Sequence, residues 1–217
     1  MCNLYSLTTN VEAIRQLFRV TRYHPNAANL PSLPAIFPGY DAPVVRSTDE
    51  GRELLMMSWG FVLPQKGKAA KRVTNARSDK VHISSFWRGS FEERRCLVPV
   101  TSFAEPKGRK PAIWHWFGLK GDEPRPPFAF AGLWRSWKGR LKPDAEPVEL
   151  NVYAFLTTVP NEIVKSVHPT RMPVMLTSKD EFDTWLDGSV EETYRLVRPL
   201  PSSQMHIVHT GETKDAA

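Results

Sequence analysis

The spacing of apolar and polar positions predicts a chain built mainly of strands. Seven runs rich in Val, Phe, Trp and Tyr, each four to ten residues long, are separated by turn-forming segments such as 106–108 and 120–122. Strands do not alternate with long helices, so we expect an α+β fold with a predominantly antiparallel, curled or barrel-like sheet and flanking short helices. The predicted strands are 53–61, 96–103, 112–119, 128–137, 150–158, 174–177 and 206–209.

Helical periodicity is confined to four short segments. Apolar residues recur there at spacings of three and four, after residues that favour helix N-termini. The predicted helices are 10–20, opened by a capping box from Thr9 to Glu12; 85–94; a helix that starts at Ser178 and is boxed by Glu181; and one or two turns from Asn161 to Val167.

The chain has 217 residues, which is enough for one sizeable core, and it contains no long polar linker, fixed repeat or low-complexity run. We predict a single domain over 1–210 followed by a disordered tail, 211–217. The two cysteines, Cys2 and Cys96, are too few for a disulfide framework or a structural zinc site. With no secretion signal and no apolar window of about 18 residues, a cytoplasmic protein without a membrane span is expected.

The net charge and the spacing of the histidines bear on whether the protein binds a polyanion or a metal ion. Lys and Arg number 29 against 23 Asp and Glu, and the resulting net charge of +6 suits a polyanionic partner without requiring one. His206 and His209 stand three apart on a predicted strand and therefore face opposite sides, which disfavours a chelating pair. We expect no metal and no cofactor.

The second residue carries the most informative chemistry. Initiator Met is readily removed before a small residue such as Cys2, and removal leaves a 1,2-aminothiol at the amino terminus. The ordinary pKa of such an amine is about 8 and that of a thiol about 8.5, so both groups are partly deprotonated at neutral pH. An aldehyde condenses with the amine to an imine, and the thiol then closes a five-membered thiazolidine ring in a favoured intramolecular step.

Further positions offer the side chains that such chemistry needs. Asn75 and Arg77 supply an orienting amide and a bidentate fork for phosphate. Glu105 ends a predicted apolar strand, where partial burial would raise the pKa of its carboxyl. His168 lies in a loop before a strand and titrates in the range of proton transfer. Taken singly, each of these residues is more often a structural residue than a catalytic one.

Together these motifs resemble the SRAP family, the SOS-response-associated peptidase-like proteins that shield abasic sites in single-stranded DNA. The resemblance spans residues 2 to about 177. It rests on five motifs in the family's order: the Met-Cys start, Trp-Gly-Phe-Val-Leu-Pro at 59–64, Asn75-Ala76-Arg77, Arg-Cys-Leu-Val-Pro at 95–99 with Glu105 behind it, and His168 with Arg171-Met172-Pro173.

The resemblance implies an SRAP fold and a mechanism. Cys2 would form a stable thiazolidine with the ring-opened aldehyde of an abasic site. Asn75 would position the terminal amine and the sugar, Glu105 would assist proton transfer during imine formation, and His168 would shuttle protons during ring closure. The imine could also lead to strand scission by β-elimination, a lyase side reaction, and Glu105 and His168 could assist self-removal of Met1.

The resemblance also implies how DNA is held. Arg77, Arg88 and Arg171 would bind phosphates that flank the lesion, and Trp59 would offer a base a stacking surface. The partner would be single-stranded DNA containing an abasic site, bound by a monomer in the DNA damage response, associated with the nucleoid when it acts on DNA.

Two departures from the family pattern bear on these expectations. The family usually begins Cys-Gly-Arg, whereas this chain has Asn3 and Leu4 after the cysteine. Glu105 is flanked by Ala104 and Pro106 instead of aromatic residues. Two other function classes stay open: a non-covalent module that binds single-stranded nucleic acid, and an N-terminal-nucleophile amidase or peptidase.

Overall fold

Strands dominate the order of elements. The computed structural model describes residues 2–27, 30–121 and 124–215, so Asp122 of the predicted turn lies outside the described residues. Within those ranges no helix is both long and apolar enough to cross a membrane. The strands are β1 Tyr5–Leu7, β2 Arg22–Tyr23, β3 Leu33–Ile36, β4 Asp41–Thr48, β5 Gly51–Trp59, β6 Phe61–Gln65, β7 Lys68–Val73, β8 Asn75–Arg77, β9 Arg95–Val100, β10 Ser102–Lys107, β11 Ile113–Leu119, β12 Phe128–Gly139, β13 Val148–Thr158, β14 Met172–Pro173, β15 Met175–Leu176 and β16 Met205–Gly211. The α-helices are α1 Val11–Phe18, α2 Arg88–Glu93, α3 Glu162–Lys165, α4 Lys179–Asp187 and α5 Val190–Arg195.

Five strands close into a barrel, which confirms the predicted barrel-like sheet. Neighbours pair antiparallel in the order β5, β4, β9, β12 and β13. The ring closes where β13 runs parallel to β5, with Val152 opposite Ser58 and Tyr153 opposite Trp59. Because the barrel is closed, each of its strands pairs with a neighbouring strand at both edges over part of its length. The apolar side chains of these strands supply much of the hydrophobic core.

A second sheet of five strands holds the start of the chain. Its order is β16, β11, β10, β1 and β3, with β1 antiparallel to both of its neighbours. Tyr5 of β1 and Phe103 of β10 each pack edge-on against Phe130 of the barrel, with ring centroids 5.8 Å apart. The segment that leads back to Cys2 is therefore held on both edges and on one face.

Helix starts follow the capping residues. The helix predicted to start at Ser178 is confirmed as α4, with the capping box to Glu181 complete. The short helix predicted after Asn161 is confirmed as α3. α1 is capped by Asn10 instead of Thr9, because the Asn10 side chain is the one that accepts a hydrogen bond from the first turn.

Three predicted boundaries are corrected. The strand predicted over 53–61 is observed as β5 and ends at Trp59, because Gly60 adopts φ +107° and turns the chain into β6. The strand predicted over 96–103 divides into β9 and β10, which belong to different sheets. The helix predicted over 85–94 shortens to α2, whose N-cap residue Trp87 makes no side-chain capping bond.

The carboxyl-terminal segment differs from the predicted disordered tail, 211–217. Asp215 is only 4% exposed. Its carboxylate accepts hydrogen bonds from Ser6 on β1 and Ser102 on β10 and forms an ion pair with Arg125. These partners lie far away in sequence, so a composition argument does not reveal them. The last two residues lie outside the described chain.

Candidate active site

Strand pairing brings Cys2 against β10. The Leu4 carbonyl accepts a hydrogen bond from the Ala104 N–H at 2.9 Å, which extends the contact between β1 and β10 toward the amino terminus. The Cys2 thiol donates to the same carbonyl at 3.4 Å, and Cys2 is only 1% exposed. The cysteine side chain is therefore enclosed beside the strand that carries Glu105.

Asn75 holds the backbone of Cys2. It opens β8, which runs parallel to β13. Its amide nitrogen donates to the Cys2 carbonyl at 2.9 Å and to Thr74 Oγ1 at 2.7 Å. A carbonyl oxygen only accepts, so this contact fixes which end of the amide is the NH₂ group. The Asn75 amide oxygen is buried and has no hydrogen-bond partner within the described residues, so it can accept one from a ligand.

Glu105 lies inside β10 and not at a strand end. Its register partner on β11 is His115, and its side chain is almost completely buried. Burial raises the pKa of the Glu105 carboxyl from 4.5 to about 7, against the opposing positive charge of the amino terminus. A carboxyl group that titrates near neutrality can both donate and accept a proton at physiological pH.

His168 is held in one tautomer by the loop after α3. Its Nδ1 lies 3.0 Å from the Arg171 carbonyl oxygen, which can only accept a hydrogen bond, so Nδ1 carries the proton. Burial lowers the pKa of His168, the positive amino terminus lowers it further, and the Arg171 carbonyl acts in the opposite direction. The ring is therefore mainly neutral at pH 7, with Nε2 as its basic atom.

The amino terminus, Cys2, Glu105 and His168 share one electrostatic environment. Burial raises the pKa of the Cys2 thiol well above its usual value, and the charge of Glu105 raises it further. The hydrogen bond to Leu4 and the positive amino terminus lower it. The amino terminus acts on the pKa values of Glu105 and His168 as well. The thiol is protonated at neutral pH, so its use as a nucleophile requires a base.

Trp59 corrects one expectation. The residue is fully buried, so a nucleobase has no access to its ring. The ring stacks on Phe155 with centroids 5.3 Å apart, and the indole N–H donates to the Thr74 carbonyl at 3.2 Å. The indole is internal because it packs among the other rings of the hydrophobic core. Trp59 thus supports the residue that precedes Asn75 and does not form a DNA-stacking surface.

Two of the three predicted phosphate-binding arginines converge on one carboxylate. Arg77 is more than half exposed and grips both oxygens of Asp79, at 3.1 and 2.8 Å. Arg171 is mostly buried, donates to Ser78 Oγ at 2.8 Å and lies 3.4 Å from Asp79. Arg88, exposed in the first turn of α2, makes no ion pair within the described residues.

Sequence reasoning missed a polar relay behind Asn75. Thr74 Oγ1 accepts from the Asn75 amide at 2.7 Å and donates to Asn3 Oδ1 at 3.1 Å. Thr74 is adjacent to Asn75, which is a local signal for it. Nothing in the sequence points to Asn3, since its contact joins residues 71 positions apart. Thr74 accepts one amide hydrogen of Asn75, and the Cys2 carbonyl accepts the other.

The described residues contain no cluster of metal-ligating side chains. Across 2–27, 30–121 and 124–215, no three His, Cys, Asp or Glu side chains lie close enough together to hold a metal ion. The groups gathered around Cys2 are of the kind that move protons and position a carbonyl compound.

The fold combines a small barrel with a second sheet that holds Cys2 beside the buried carboxyl of Glu105. Sequence comparison gives the family. The model of the SRAP family, "SOS response associated peptidase (SRAP)", matches residues 1–213, and the chain belongs to this family. The family resemblance stated from the motifs is thereby confirmed.

Three relatives from Bacillus subtilis (strain 168) are named abasic site processing proteins. YoqW is 28% identical over 189 residues, with 86% of this chain and 80% of YoqW covered. YoaM is 27% identical over 191 residues, with coverage of 86% and 79%. YobE is 26% identical over 192 residues, with coverage of 86% and 82%.

Solved structures share the fold. A crystal structure of a protein from Bordetella bronchiseptica has a TM-score of 0.74 and 21% identity, with 97% of this chain and 98% of that chain covered. One from Bacteroides thetaiotaomicron has a TM-score of 0.73 and 22% identity, with coverage of 94% and 90%. The predicted fold class is confirmed by these neighbours.

Proposed function

We propose that this protein recognises abasic sites in single-stranded DNA and links to them covalently through Cys2, which shields the lesion. The observation that carries the proposal is the amide of Asn75 holding the Cys2 carbonyl at 2.9 Å in a pocket whose carboxyl, Glu105, has its pKa raised to about 7. Family membership and relatives named as abasic site processing proteins support the same substrate.

The first step is removal of Met1. Hydrolysis of the bond between Met1 and Cys2 consumes one water, releases methionine and frees the Cys2 amine. Glu105 and His168, whose pKa values respond to the charge of the amino terminus, are placed to transfer the protons of this self-processing step. This step corresponds to the peptidase activity in the family's description.

Imine formation follows. The Cys2 amine attacks the aldehyde carbon of the opened sugar and gives a carbinolamine. Protonated Glu105 donates to the departing hydroxyl, which leaves as water, and the C=N bond forms. Asn75 orients the reactants through its amide nitrogen on the Cys2 carbonyl, while its amide oxygen accepts a hydrogen bond from the amine or a sugar hydroxyl.

Ring closure completes the link. The Cys2 sulfur bonds to the imine carbon, and the thiol proton is transferred to the former imine nitrogen. Because burial and the charge of Glu105 keep the thiol protonated, a base must carry that proton, and neutral His168 would act as this base. The thiazolidine contains no C=N bond, so it suppresses the β-elimination that an imine would allow.

DNA phosphates compete with Asp79 for two arginines. Arg77 and Arg171 already converge on that carboxylate, so a phosphate next to the lesion can take its place between them. Arg88 binds a phosphate further along the strand. The protein acts as a monomer at the nucleoid during the DNA damage response.

The proposal is tested by crosslinking. Wild-type protein, with Met1 removal verified by intact mass, is incubated with single-stranded DNA bearing one abasic site and run on a denaturing gel. We expect a heat-stable band whose mass equals protein plus DNA less one water. Cys2→Ala abolishes this band, because the sulfur that closes the ring is gone.

Cys96→Ala is the matched control, since Cys96 is an equally buried thiol on β9 and outside the site. It should crosslink within about twofold of wild type. Lack of a heat-stable band with wild type, together with unchanged DNA binding by Cys2→Ala, would instead support a non-covalent binding module. Turnover of a small amide without DNA would support an amidase.

A further inference from the structure

The hairpin of β6 and β7 concentrates positive charge in a short stretch of the chain. Between residues 54 and 78 the sequence contains no Asp or Glu and five basic residues, among them Lys66, Lys68 and Lys71. These three lysines are exposed and form no ion pair within the described residues. Several exposed basic residues outside this hairpin are paired with a carboxylate, for example Arg15 with Glu12 and Arg195 with Glu191. We call residues 61–73 the basic arm.

The basic arm is a two-stranded antiparallel hairpin. Its strands form a separate two-stranded sheet, in which Phe61 pairs with Val73 at the base and Gln65 with Lys68 at the tip. Gly67, with φ +67°, makes the tight turn between them.

Backbone and side-chain contacts fix the arm to the body. The Ala70 N–H donates to the Leu141 carbonyl at 2.9 Å, and Arg72 donates to the Gly60 carbonyl at 3.0 Å. The Phe61 ring packs against Trp87 with centroids 4.8 Å apart. The three lysines therefore lie on a hairpin whose position is fixed by contacts with the rest of the fold.

The arm begins at the candidate active site. Val73 ends β7, and Asn75, whose amide holds Cys2, lies only two residues further. At about 3.3 Å per residue, Lys71 lies roughly 7 Å and Lys68 roughly 17 Å up the strand from Val73. A nucleic acid strand that enters the site can therefore run along the arm for several phosphates.

Exposed apolar side chains on β6 favour binding of a single strand over a duplex. Leu63 is 41% exposed and stands opposite Lys71, and Pro64 beside it is exposed too. Apolar surface next to lysines suits unpaired bases, whose faces are accessible, whereas a duplex presents phosphates and hides the base faces.

We propose that the basic arm binds the phosphates of single-stranded DNA on one side of the lesion, through Lys66, Lys68 and Lys71. This inference rests on the proposed function for the place of the lesion. It adds an extended contact surface with a direction, because the arm leaves the site on one side only. It goes beyond the three arginines, which lie on β8, on α2 and in the loop before β14.

The test is non-covalent binding of single-stranded DNA without a lesion, measured by fluorescence anisotropy over a salt series. The triple variant Lys66→Gln, Lys68→Gln, Lys71→Gln should lose at least about tenfold in affinity at low salt. Each phosphate contact on a single strand contributes about 0.7 to the slope of log K against log salt, so the slope should fall by about 2.

A control with the same charge change uses Lys120→Gln, Lys179→Gln and Lys214→Gln, all exposed and outside the arm. An equal effect of the two triples would overturn the proposal, because net charge alone would then explain the loss. So would a loss on blunt duplex DNA as large as that on the single strand. Circular dichroism verifies that both variants fold.

Direction is tested with two abasic oligonucleotides of equal length, one with the lesion near its 5′ end and one near its 3′ end. The arm triple should slow crosslinking at limiting DNA on only one of them. Equal slowing on both would exclude a one-sided arm. If crosslinking fails for wild type while the salt-slope result holds, the proposed function fails and the arm still binds single strands.

Discussion

The carboxyl group of Glu105 links reactivity to stability at the scale of one residue. Its pKa is about 7 in the folded protein and 4.5 in an unfolded chain, because burial disfavours its charge. The folded state therefore binds more protons than the unfolded state between pH 4.5 and 7. The contribution of Glu105 to the free energy of unfolding is fully present below pH 4.5 and is lost as pH rises through 7.

We expect Glu105→Gln to remove this contribution to the pH dependence of stability. The amide cannot ionise, so the stability of the variant relative to wild type should rise between pH 4.5 and 7 by roughly 3 kcal/mol. Crosslinking should slow at the same time, because an amide cannot donate the proton for imine formation. Urea unfolding at pH 5 and pH 8 measures the first effect, and a stability difference that is flat with pH would contradict it.

A second residue-scale prediction concerns Thr74. Thr74→Val keeps the shape but removes the hydroxyl, so one Asn75 amide hydrogen loses its acceptor in a buried site. We expect the crosslinking rate at saturating DNA to fall about tenfold while DNA affinity stays unchanged, since Thr74 positions Asn75 and does not touch DNA. Thr74→Ser, which restores the hydroxyl, should recover the rate. A fall in affinity equal to the fall in rate would refute this role.

At the scale of elements, sequence pattern located those strands whose apolar runs are long. β12 and β13 were placed within two residues of their boundaries because most of their length is buried. β1 has only three residues, and its strand character comes from pairing with β10 and β3, so no local pattern reveals it. The sequence pattern misses β4 because Pro43 disfavours a strand and only four buried residues, 42–45, stand between polar ends.

The same limit applies to the site. The chemistry of the side chains, which sequence displays directly, and the family motifs predict the candidate site residues Cys2, Asn75, Glu105 and His168. What sequence does not display is burial and partnership. The buried ring of Trp59, the carboxylate that joins two arginines and the acceptor behind Thr74 all arise from contacts between distant strands and loops.

At the scale of the whole molecule, the carboxyl-terminal segment secures the strand that carries the site. Asp215 accepts from Ser6 at 2.7 Å and from Ser102, so it joins β1 to β10 from the face opposite the barrel. Burial alone would raise the pKa of Asp215, but the hydrogen bonds from both serines and Arg125 outweigh it and lower the pKa. The stability gained is present above the ordinary carboxyl pKa and is lost as pH falls through the folded value.

Removing this carboxylate should therefore loosen the amino-terminal strand. Asp215→Ala removes the ion pair with Arg125 and the charged acceptor of the Ser6 and Ser102 hydroxyls, and we expect a loss of about 1.5–3 kcal/mol in the free energy of unfolding at pH 7. Hydrogen exchange at the β1 amides should accelerate as well, because β1 has so few residues of its own to hold it. Asp144→Ala, an exposed loop aspartate, serves as the control and should change stability by less than about 0.5 kcal/mol. Slow exchange in β1 despite the loss of Asp215 would mean that β3 and β10 alone hold the strand in place.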